Sequence, residues 1–265
     1  MQNPFYFAFG LTLLAGLCTG IGSLLSLVYK KFNPRFLGFM LGLSAGVMLY
    51  VSFIEIFNKA RQSLTVVFGA QLGYAYTIVG FFAGIISILL IDKLIPSHEH
   101  EDEHEGEQNI KGKQNQKLLR LGIFSALALA IHNFPEGLAT FMSAMNEPSY
   151  GISIAVAVAI HNIPEGIAVA IPIYYATKSR SKAFWYSFIS GLAEPVGAVV
   201  GYFILRQFFD DSLFGIIFSS VAGIMVYISL NELIPTAREY AGQKITITGV
   251  LIGMLIMAIS LLLFM

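Results

Sequence analysis

Ala130-Ile131-His132-Asn133-Phe134-Pro135-Glu136-Gly137 is echoed 29 residues later by Ala159-Ile160-His161-Asn162-Ile163-Pro164-Glu165-Gly166. Both copies lie inside runs apolar enough to read as membrane-spanning helices, where an ionisable group is expensive and normally faces a functional cavity. His132 stands four residues before Glu136 and His161 four before Glu165. Each imidazole therefore shares a helix face with a carboxylate, and the two pairs can meet at one ion. Pro135 and Pro164 have no N–H for the carbonyls of Ile131 and Ile160, so the helix is expected to loosen there and offer backbone oxygens as well.

Working outward, the chain of 265 residues is 56% hydrophobic and 12% charged, far from the make-up of a soluble domain. Net charge is zero, which removes the basic excess that nucleic-acid binding requires. The single cysteine, Cys18, excludes an internal disulfide and a thiolate metal cluster. No basic stretch or cleavage signal precedes the first apolar run, which reads as a retained span. A span takes about 20 residues, and eight are legible: 5–29, 36–57, 72–95, 120–146, 151–176, 183–207, 214–235 and 245–265. On that count 13 of the 16 basic residues fall on one side, leaving Lys59, Arg61 and Arg206 on the other. The positive-inside rule then sets both termini outside and the loop at 96–119 in the cytoplasm.

A second echo lies at an offset of 177 residues: Ala45-Gly46-Val47-Met48-Leu49-Tyr50-Val51-Ser52-Phe53-Ile54-Glu55 against Ala222-Gly223-Ile224-Met225-Val226-Tyr227-Ile228-Ser229-Leu230-Asn231-Glu232. Span two runs outward and span seven inward, so the expected architecture is an all-α polytopic membrane protein with an inverted 3+2+3 repeat, helices four and five central. Such repeats mark secondary transporters with midplane sites. Residues 1–265 are expected to form one transmembrane domain, with 96–119 a flexible acidic, histidine-bearing loop.

Glu136, Glu165 and Glu194 fall at mid-depth with no lysine or arginine at that level. Unpaired charge there costs several kcal/mol, and the adjacent histidines make a divalent cation the economical partner. His132, Glu136, His161 and Glu165 compose one metal position. Asn133, Asn162 and Glu194 compose a second, with Glu136 and Glu165 bridging. Imidazole, carboxylate and amide donors suit Zn²⁺, Fe²⁺, Mn²⁺ or Cd²⁺ without choosing among them. Met48 is either a thioether ligand or apolar filler. Glu55 and Glu232 flank the centre from opposite sides, as an entrance and an exit.

On these residues the chain resembles the ZIP (Zrt-, Irt-like) metal transporters, most of all their bacterial ZupT-like branch. The resemblance spans all eight predicted helices, carried by the two HNxPEG copies and by Gly191-Leu192-Ala193-Glu194-Pro195. It implies import of divalent metal into the cytoplasm across the bacterial cytoplasmic membrane, commonly by a homodimer, and it raises Met48 to a ligand of the first site. His98, His100 and His104 in the acidic loop either capture emerging metal, as the family's histidine-rich loop suggests, or belong to a solvated linker. The rival reading from another class is an intramembrane metalloenzyme, a protease or hydrolase. Its HExxH signature fails here, because Asn133 and Asn162 stand where the general base belongs. No GxxxxGK[ST] loop is present, so ATP is not the direct energy source.

Overall fold

The computed structural model describes residues 4–28, 33–94, 107–146, 148–205 and 210–263. Every regular element among them is helical: α1 (Pro4–Val28), α2 (Pro34–Val51), α3 (Phe57–Leu94), α4 (Glu107–Asn146), α5 (Pro148–Thr177), α6 (Arg180–Gly191), α7 (Ala193–Val200), α8 (Asp211–Ile228) and α9 (Ile234–Leu263). The predicted all-helical membrane protein is therefore what the chain forms. Exposed Leu, Ile, Val and Phe side chains such as Val66, Val79, Phe82, Ile86, Leu251 and Leu255 face outward, a surface suited to acyl chains rather than water.

Among the described residues six stretches are long and apolar enough to cross a membrane, and two of them, Pro34–Ile91 and Asp211–Leu263, run 58 and 53 residues. That is more than twice the ~20 residues a bilayer needs. Each contains one glycine of left-handed φ, Gly69 at 78° and Gly242 at 75°. L side chains rarely adopt this backbone, and the helix breaks at both points. Beyond Gly69 the chain returns along itself: Phe57 packs against Tyr74 and Phe81 at ring separations of 6.5 and 5.7 Å.

The echo at 177 residues extends to backbone detail. α2 and α8 are 18 residues each, and each starts behind an extended capping residue whose side chain accepts first-turn N–H groups. Asn33 accepts from Arg35 and Phe36, and Asp210 from Leu213. Each helix ends in a five-residue π-helical turn, Ser52–Ile56 and Ser229–Leu233. The leading serine of each turn donates to the carbonyl four residues back, Ser52 to Met48 at 2.6 Å and Ser229 to Met225 at 2.8 Å. Glu55 and Glu232 ride on these wider turns, a geometry the sequence does not announce.

The helices pack as two groups. α2 lies on α9 and α3 on α8, while α1, α4, α5, α6 and α7 pack on one another; the groups meet mainly where α2 touches α5 and α4 touches α8. Small residues let backbones within a group approach closely. A Cβ added at Gly46 would stand 2.1 Å from the Val250 carbonyl oxygen, and one at Gly84 would stand 2.0 Å from that of Ser220.

One boundary differs from expectation. α4 starts at Glu107, inside the stretch read as loop to residue 119, because its Glu, Gln, Lys and Leu residues are good helix formers even without an apolar face. His98, His100 and His104 lie outside the described residues.

Gly46→Ala is expected to destabilise the protein by about 1–3 kcal/mol, the usual penalty of overpacking. Gly10→Ala, inside α1 where an added Cβ meets nothing within 4 Å, is expected to raise stability by about 0.5–1 kcal/mol through helix propensity. Thermal unfolding of the two variants in detergent measures the difference.

Candidate metal centre

α4 carries His132, Asn133 and Glu136; α5 carries His161, Asn162 and Glu165. Both helices continue through Pro135 and Pro164, so the expected loosening does not interrupt them and the four-residue spacing keeps its facial alignment. A break does fall at Leu192, between α6 and α7, in the stretch Gly191–Gly197 where a proline and two glycines permit one. Pro195 has no N–H for the Gly191 carbonyl, and the new helix puts Glu194 in its first turn, where a carboxylate meets the positive end of the dipole. The glycine closing each motif then seats the neighbour. A Cβ at Gly137 would stand 2.1 Å from the Glu194 carbonyl oxygen, and one at Gly166 would stand 2.0 Å from that of Thr19 on α1.

These seats bring side chains from three helices together. His132 Nε2 lies 3.3 Å from Glu165 Oε1, a contact between α4 and α5. Asn162 Nδ2 donates to Glu194 Oε1 across α5 and α7, and to the Ala15 carbonyl of α1 at 2.9 Å. Asn133 Nδ2 reaches the Ser190 carbonyl at a long 3.5 Å. Met48 of α2 is buried beside them, lining the same small cavity as His132 and Glu165. Among the described residues, both ring nitrogens of His132, both carboxylate oxygens of Glu165, and the amide oxygens of Asn133 and Asn162 have no hydrogen-bond partner. A buried polar atom left without a bond costs about 1–3 kcal/mol, and imidazole, carboxylate and amide-oxygen atoms gathered in apolar surroundings have the chemistry of a donor set for a cation.

Two cavities flank this cluster, both between the two helix groups. One of about 330 Å³ is lined by Glu136, Thr140 and Ser143 of α4 and by Glu55, Lys59 and Asp211 among others. Glu136, 8% exposed, opens onto it. The other, of about 20 Å³, lies on the opposite side of the cluster and takes in Ser44, Met48, Ser125, His132 and Glu165.

Among the described residues no three His, Cys, Asp or Glu side chains close into a cage; His132–Glu165 and Asn162–Glu194 stand as two pairs. The His161 side chain lies outside the described residues. Glu55 sits in the larger cavity with its carboxylate ion-paired to Lys59 one turn on. Glu232 lines neither cavity, and its Oε1 accepts from Asn231 at 2.9 Å. Two features went unread in the sequence: the part of α1, whose Ala15 carbonyl holds Asn162, and the Lys59 partner of Glu55. Gly16, Gly20 and Gly22 signalled the first, and the four-residue spacing signalled the second.

Replacing the pair together, His132→Leu with Glu165→Met, is expected to abolish equilibrium zinc binding and leave the melting temperature at or above that of the unmodified chain. Apolar replacement of a buried ion pair is commonly neutral or stabilising by about 1–4 kcal/mol. A fall in melting temperature would mark the pair as structural.

The model of the ZIP zinc transporter family matches residues 96–261. The chain is similar to the zinc transporter ZupT of Chlorobium chlorochromatii, 61% identical over 267 residues covering 100% of both chains. It is similar as well to that of Chlorobaculum parvum, 60% identical over 268 residues and 100% of both, and to that of Clostridium perfringens, 54% identical with 99% and 98% covered. The family match takes in both HNxPEG copies and Glu194, the full-length relatives add Met48 and Glu55, and on this evidence the chain belongs to the ZIP zinc transporter family, alongside its ZupT members.

Proposed function

We propose that this chain imports divalent transition-metal cations, zinc foremost, into the bacterial cytoplasm through a site deep in the membrane. The observation that carries the reading is the buried cluster of His132, Glu165, Asn133 and Asn162 atoms without a hydrogen-bond partner among the described residues, held where α4, α5 and α7 meet. His132, Glu136, His161 and Glu165, with Met48, form the first position. Asn133, Asn162 and Glu194 form the second, sharing Glu136 and Glu165. Nitrogen and oxygen donors without thiolate suit zinc and also iron, manganese and cadmium; the relatives' name favours zinc.

The membrane arrangement follows from the glycine breaks. Taking Pro34–Ile91 and Asp211–Leu263 each as two spans turned at Gly69 and Gly242 gives eight crossings, with both termini outside by the distribution of Lys and Arg. The matched caps, π-helical turns and glycines of the α2–α3 and α8–α9 segments support the inverted repeat.

Passage then has a physical order. A hydrated cation enters the larger cavity past Glu55 and meets Glu136, where carboxylate begins to replace water. It advances to the His132–Glu165 pair. The 20 Å³ cavity beyond holds about one water molecule, too little for a hydrated ion. Release toward Glu232 therefore requires the two helix groups to shift against each other. A ligand-mediated relay of this kind lets the ion exchange its shell stepwise instead of losing it at once.

Purified protein in liposomes tests this directly. Wild-type protein is expected to take up zinc and to cleave no peptide substrate. Glu136→Ala and His161→Ala each lower uptake at least about 100-fold with insertion intact, while joint replacement of His98, His100 and His104 changes it only severalfold. Full transport by the His161→Ala protein would remove that residue from the first position.

A further inference from the structure

Several buried hydroxyls on these helices donate to the carbonyl four residues back, as Thr12, Ser52, Thr77 and Ser229 do. Among the described residues the buried hydroxyls of Thr19, Ser44, Ser125, Thr140 and Ser260 have no hydrogen-bond partner. Ser44 and Ser125, at 0% and 6% exposure, are the two of these that line one cavity together. They come from different helix groups, α2 and α4, yet both line the 20 Å³ cavity that also receives His132, Glu165 and Met48. The rest of that lining is apolar: Leu129, Ala168, Val169, Ile228 and Leu233.

Their positions extend the ligand stripe. Ser125 lies seven residues, two turns, before His132 on the same face of α4, and Ser44 one turn before Met48 on α2. Packing does not require a hydroxyl at position 44, because the residue 177 positions on is Val221, also buried. Two unpartnered hydroxyls in a space that fits one water or one bare ion make an oxygen-donor site.

We propose that Ser44 and Ser125 form the next station on the metal's route beyond His132 and Glu165, on the side away from the larger cavity. Their oxygens coordinate the departing divalent cation directly or through one water it carries. Because one serine comes from each helix group, the station is complete only while the groups stand as they do here, and a shift between them opens it. The inference rests on the metal-site reading above, and its test separates the two.

In a Cys18→Ser background, so that the introduced thiol is the only one, Ser44→Cys and Ser125→Cys are compared with the background protein for cadmium against zinc in liposome uptake. A thiolate touching the ion raises the cadmium-to-zinc preference at least about fivefold, since soft ligands favour the softer metal. The Ser44→Ala/Ser125→Ala protein, which loses two hydroxyls and little volume, is expected to bind zinc at equilibrium within about twofold of the background and to transport it about tenfold more slowly. Cysteine variants whose preference stays within about twofold, with the alanine protein transporting at the background rate, overturn the station. A background protein that binds and transports no zinc overturns the metal-site reading beneath it instead.

Discussion

The fold is governed by a shortage of water. In hydrocarbon nothing outside the protein can bond a backbone group or solvate a charge, so the chain is helix almost throughout and its polar side chains turn inward. The cluster around His132 and Glu165 is where that rule is deliberately left incomplete. Asn162 is tied down through its amide nitrogen by the Ala15 carbonyl and by Glu194, while its amide oxygen has no hydrogen-bond partner among the described residues. Caps and hydroxyl back-bonds elsewhere, such as those of Thr12, Ser52, Thr77 and Ser229, take up donors within the helices themselves.

Close backbone approach makes this arrangement rigid. Gly137 and Gly166 are part of the motif for a mechanical reason: each sits against a carbonyl of α7 or α1, so the carboxylates one residue before them are placed by backbone contact. Chemistry and packing are encoded in adjacent letters of the same six-residue word.

That adjacency explains what could be read in advance. The two HNxPEG copies, the apolar runs and the 177-residue echo gave the helical class and the candidate ligands, because charge in an apolar run and periodic spacing are properties of the sequence itself. The prolines do not act alike. Pro135 and Pro164 are absorbed within continuous α4 and α5, whereas Pro195, preceded by Gly191, ends α6. A proline's consequence depends on the neighbours that re-bond the released carbonyl, and neighbours are tertiary information. The π-helical turns under Glu55 and Glu232 were equally hidden, since nothing in SFIEI or SLNEL distinguishes a wider turn from an ordinary one. The start of α4 at Glu107 reflects a polar helix whose pattern mimics a linker.

The glycine contacts carry one more consequence. Wherever an added Cβ would strike another helix's backbone among the described residues, as at Gly46, Gly84, Gly137 or Gly166, both partners belong to the same group. Each group is thus keyed internally like a ratchet that cannot slide, and the boundary along α2–α5 and α4–α8 has no such keys. His132, Glu165, Asn162 and Glu194 all belong to one group, and the two cavities beside them open along that unkeyed boundary.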